Sequence, residues 1–70
     1  MEYEIVVFWD ADASVWVASN DDLPLSLESG SLDRLMEKVR YTAFEMAEAN
    51  HLAAPEYLHF RVDALEKVGG

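Results

Sequence analysis

Hydrophobic and polar positions alternate along four short stretches of this chain, and along one long stretch they recur with helical spacing. Between Glu2 and Trp9, alternation sends Ile5, Val7 and Trp9 to one face of a strand and Val6 and Phe8 to the other, so both faces are apolar. Asp10-Ala11-Asp12-Ala13 then reads as a hairpin turn. A second strand over residues 14–19 places Val15 and Val17 on one side and Trp16 and Ala18 on the other. Asn20-Asp21-Asp22 breaks the pattern, Pro24 pushes Leu23 toward an extended conformation, and a short strand from Leu25 to Glu28 completes a meander of three.

The helical stretch opens at Ser31, a good N-cap, with Asp33 in the first turn where the helix dipole favours negative charge. Leu32, Leu35, Met36, Val39, Ala43, Met46, Ala47 and Asn50 form one stripe at i, i+3, i+4, i+7 spacing. A helix from residue 32 to about 49 is roughly 27 Å long and spans several strands. Tyr41 and Phe44 fall outside the stripe, as apolar surface that a single sheet contact does not use. Pro55 closes the helical region, and residues 57–63 alternate again, with Leu58, Phe60 and Val62 on one side and Tyr57, His59 and Arg61 on the other. Strand, helix and strand in succession imply a parallel, right-handed crossover, and residues 67–70 read as a frayed tail.

This pattern predicts an α+β domain with one helix packed on one face of a four-stranded mixed sheet. One helix covers one face only. The apolar residues of the other face require a second copy or a partner. Size points the same way, because a 70-residue domain sits near the limit at which a core buries about 60% of the unfolded surface. There are no cysteines, which removes disulfides and thiolate metal sites, leaves oligomerisation as the expected support and suits the cytoplasm. The start has no basic leader region, and the longest apolar run, Ile5 to Trp9, is far short of the roughly 18 residues of a membrane span. A soluble, unprocessed chain is expected.

Fourteen acidic against five basic residues give a formal charge of −9, which repels phosphate backbones, so direct nucleic-acid binding is not expected. The acidity serves solubility, or it steers the chain toward a basic protein. Asp10, Asp12, Asp21 and Asp22 are the nearest thing to a cation site, but their spacing fits no calcium loop and Asp is what turns prefer. His51, just past the helix, and His59, in a strand, lack a partner at ligand spacing. Ser14, Ser19, Ser26, Ser29 and Ser31 lack the glycines of a nucleophile elbow, and Gly30, Gly69 and Gly70 make no phosphate loop. Neither catalytic residues nor a cofactor or metal are therefore assigned.

The segment from Phe8 to Leu25, with its Val-Trp-Val strand and Asp-Leu-Pro loop, then Glu28 to Leu35 and the helix end Phe44 to Asn50, together resemble a bacterial group. They are similar to small domain-of-unknown-function proteins allied to the HicB antitoxins. The resemblance implies a partial ribonuclease-H-like βββαβ fold in which the fourth strand lies beside the first and parallel to it. It also implies a protein that self-associates through its sheet region and neutralises a small basic ribonuclease toxin by covering it. HicB antitoxins often add a C-terminal DNA-binding module, and operator binding is not expected from this chain alone.

The reading that results is an antitoxin-like interaction module, a homodimer or higher homo-oligomer built on Val6, Phe8 and Trp16. Acidic loops carrying Asp10, Asp12, Asp21 and Asp22 face a basic toxin. One alternative is a metal-dependent nuclease remnant using Asp10, Asp12 or Asp22, which would require carboxylates converging on two ions. Another is an oligomeric structural domain with no toxin partner.

Overall fold

A computed structural model describes residues 2–63. Its elements are β1 (Glu2–Asp10), β2 (Val15–Asn20), β3 (Leu25–Ser29), α1 (Leu32–Ala49) and β4 (Tyr57–Asp63). The sheet order is β3-β2-β1-β4. The hairpin partners are antiparallel, whereas β4 runs parallel to β1 in unbroken register from Glu2 opposite Tyr57 to Phe8 opposite Asp63. The βββαβ architecture expected from the residue pattern is therefore the one adopted. The tail expected over residues 67–70 lies outside the described residues.

β1 is central because hydrogen-bonding partners flank it on both sides, and its alternation divides the molecule. Tyr3, Ile5 and Val7 face α1 and are buried, joined by Ala18, Leu25, Leu35, Val39, Ala43 and Ala47. The small side chains Ala43 and Ala47 on the helix stripe allow the C-terminal half of α1 to approach closely. Tyr3 also donates its hydroxyl to the Ala53 carbonyl at 2.7 Å, which ties the segment between α1 and β4 to the central strand.

Local chemistry sets the boundaries. Ser31 caps α1 by accepting from the Arg34 amide, at 3.4 Å. The helix ends earlier than Pro55 requires: His51 adopts the left-handed conformation (φ 56°), its amide donates to the Glu48 carbonyl, and the Leu52 amide donates to the Ala47 carbonyl. That pair of bonds is a Schellman motif, formed without the usual glycine. Ser14, also at φ 56°, closes the β1–β2 turn.

A second buried anchor lies in the β2–β3 turn. Leu23 is fully buried, and Asn20 positions it by accepting from the Leu23 amide at 2.6 Å while donating from Nδ2 to the Glu4 carbonyl. Composition alone marks this segment as a polar break. In the fold its single leucine is a core residue.

Candidate interaction surface

The register determines which side chains share the face opposite α1. Phe8 pairs with Val17, Val6 with Ser19 and Asp10 with Val15, so Val6, Phe8, Val15 and Val17 cluster on the open face. Phe8 is 41% exposed. Around this patch the same face carries Glu4, Ser26, Glu28, Arg61 and Asp63, placed by their pairing with β1 and β2. An apolar centre with a polar, charged rim is the layout of a protein-contact surface.

Trp16 does not belong to it. It pairs with Trp9, opposite in parity to Phe8, and so projects to the α1 side. There the two rings meet edge to face with centroids 5.3 Å apart, and Trp16 packs against the core. A single surface through Val6, Phe8 and Trp16 is therefore not built. Val15 and Val17 take the place of Trp16, because antiparallel pairing matches residues by face and not by size.

The acidic residues also separate. Asp10 and Asp12 lie at the β1–β2 turn, Asp21 and Asp22 at the β2–β3 turn, at opposite ends of β2 (Val15–Asn20). The six residues of β2 correspond to about 17 Å at the usual rise per residue. Asp10 is occupied with the turn itself, its Oδ1 accepting from the amides of Asp12 (3.1 Å) and Ala13 (3.3 Å). Among the described residues no group of three or more His, Cys, Asp or Glu side chains is arranged to hold a metal ion. At the β2–β3 end, Glu4, Asp21 and Asp22 line one shallow acidic depression with Asn20. Along the β4 side, Glu4 lies 4.0 Å from His59 and 3.9 Å from Arg61.

Two further apolar residues stand on the outer side of α1, Tyr41 at 69% and Phe44 at 54% exposure. Phe44 flanks a groove between α1 and β4 that Arg40, Pro55, Leu58 and Phe60 also line. Val15 and Val17 as patch members, Asn20 as the turn anchor and this groove escape a reading strand by strand. The first two need the inter-strand register. The third needs the lateral position of the helix.

Comparison with known proteins agrees with this architecture. No curated protein matches the chain. A solved structure, that of a hypothetical protein, TTHA1013, from the extremely thermophilic bacterium Thermus thermophilus, is similar over 100% of both chains, at 30% identity and a TM-score of 0.75. Among the described residues no helix is long and apolar enough to cross a membrane. Residues 2–68 match the family model described as a domain of unknown function, DUF1902, and the chain belongs to that family.

Proposed function

We propose that this chain is a small, non-enzymatic protein-interaction domain of the cytoplasm that self-associates through its open sheet face and acts, like the HicB antitoxins it resembles, by covering a small basic ribonuclease. The observation that carries this reading is the apolar patch of Val6, Phe8, Val15 and Val17 on a face that no second layer of the same chain covers among the described residues. An apolar patch with a charged rim suits a two-fold contact, in which the same patch of each copy is used and every contact occurs twice.

The acidic surface supports the choice of partner. With a formal charge of −9, the chain attracts a basic protein and repels an acidic one. Because Asp10/Asp12 and Asp21/Asp22 lie at opposite ends of the sheet, attraction comes from the whole surface and not from one acidic loop cluster.

The test is direct. The product of an adjacent gene, where it is small and basic, is purified with this chain, and complex formation and ribonuclease activity are followed. A stoichiometric complex that silences the ribonuclease and weakens as salt rises is expected. No complex, or cleavage of RNA by this chain alone with Mg²⁺ or Mn²⁺, would refute the reading; the second outcome would favour the nuclease alternative.

A further inference from the structure

The free edge of the sheet at β4 carries a second, independent deficit. β4 has β1 on one side and no strand on the other among the described residues. All seven of its residues (Tyr57–Asp63) pair with β1 in unbroken register, and the run contains neither proline nor glycine. An unbroken edge of that length presents a row of backbone donors and acceptors whose natural complement is another strand. At the other edge, α1 packs against β3, and the Lys38 ammonium donates to the Glu28 carbonyl at 3.4 Å. The two edges are not treated alike.

Apolar surface is left open at the same place. On the α1 side of β4, Val62 is 47% exposed, Leu58 and Phe60 are only partly buried, and the groove beside them runs up to Phe44. The missing hydrogen bonds and the missing apolar cover thus fall along one line.

We propose that a second copy of this chain occupies that line: two β4 strands pair edge to edge, antiparallel, about a two-fold axis at Phe60. Such an axis stands perpendicular to the sheet, so both helices lie on the same side and like faces meet. Centring on Phe60 pairs the strand over its full length. On the α1 side Leu58 meets Val62 of the copy, and Phe60 meets Phe60. On the open side Tyr57 meets Asp63, and His59 meets Arg61. Charge selects a copy at this edge: in a strongly acidic chain, the formal charges of β4 cancel between Arg61 and Asp63, so two copies approach without opposing carboxylates. This contact goes beyond the face contact proposed above and does not depend on it. Used together, the two close into an assembly of four where their axes intersect at right angles.

The absence of native cysteine makes the register testable by crosslinking. Directly opposed residues of an antiparallel pair have Cβ atoms about 4.5–5.5 Å apart, diagonal neighbours about 7–8 Å, and disulfides form only where Cα atoms lie within about 7 Å. The double variant His59→Cys/Arg61→Cys is expected to form a disulfide-linked dimer on mild oxidation, and each single variant is not. Stacked sheets lie about 10 Å apart, so the face contact cannot produce this link, and the crosslink is expected to persist when Phe8→Glu is added. A double variant that stays uncrosslinked, single variants that link equally well, or a link lost with Phe8→Glu would each overturn edge pairing. As a second measurement, Val62→Lys, a change at a half-exposed site, is expected to halve the sedimenting mass. An unchanged mass would overturn it.

Discussion

Phe8→Ala probes the open face most cleanly. Phe8 is 41% exposed on the face opposite α1, which for a phenylalanine corresponds to roughly 80 Å² of the about 200 Å² such a side chain can bury. At roughly 25 cal/mol per Å², covering that area contributes about 2 kcal/mol per copy, or about 4 kcal/mol across a two-fold contact. Since about 1.4 kcal/mol is a factor of ten, truncation should weaken face pairing on the order of a thousand-fold. The protomer's own neighbours already cover the remaining roughly 120 Å², about 3 kcal/mol by the same conversion, so circular dichroism is recorded beside sedimentation to establish that the helix is kept. Sedimentation velocity over a dilution series reads the difference as a shift of the dissociation midpoint to much higher concentration. A midpoint that does not move would refute the argument, since it would mean that Phe8 stays as exposed in the assembly as in the protomer.

Other substitutions test the local reasoning. Asn20→Ala removes two hydrogen bonds that hold the β2–β3 turn to β1 and should cost about 2 kcal/mol, read as a lower urea midpoint at unchanged slope. Ser14→Gly and His51→Gly relieve positive φ at two non-glycine positions, and each should raise stability by about 0.5–1 kcal/mol, seen as a Tm higher by several degrees. Ser31→Ala removes the N-cap of α1 and should cost about 1 kcal/mol, with Ser31→Asp restoring it; equal stability of the two variants would show that the cap contributes nothing.

Much of the architecture is legible in the residue pattern, for identifiable reasons. Strand alternation and the helix stripe are local signals. Leu35, Val39, Ala43 and Ala47 lie on that stripe and are buried, while Tyr41 and Phe44, off it, are exposed. The central place of β1 is foreshadowed by its two apolar faces and made definite by the sheet order β3-β2-β1-β4. The composition of the interaction surface is less legible, because it depends on which residue of β2 lies opposite Phe8. A shift of one residue exchanges Val17 for Trp16 and moves a large aromatic from core to surface. The register that occurs puts Trp16 against Trp9, where its ring is partly covered, and leaves the smaller valines outside.

The β2–β3 turn is where local pattern misleads. Leu23 sits among turn residues, and its burial rests on Asn20, whose amide side chain bridges to both β1 and the turn backbone. Short-range composition carries no trace of such a bridge. The end of α1 is legible by contrast: the stripe predicts an end near residue 49 and the helix stops at Ala49, although the stop is made by a left-handed histidine whose neighbours satisfy the last carbonyls and not by the proline. The acidic residues are near neighbours along the chain only because β2 is short; folding sends them to its two ends.

One protomer leaves apolar sheet surface open, at Phe8 on one face and at Val62 on the other. Sedimentation equilibrium of the unmodified chain at micromolar concentration tests, without any substitution, whether further copies cover it. The expected mass is a whole multiple, two or more, of the 7.9 kDa protomer, with no protomer-sized species. A single, fully folded species at the protomer mass would contradict it.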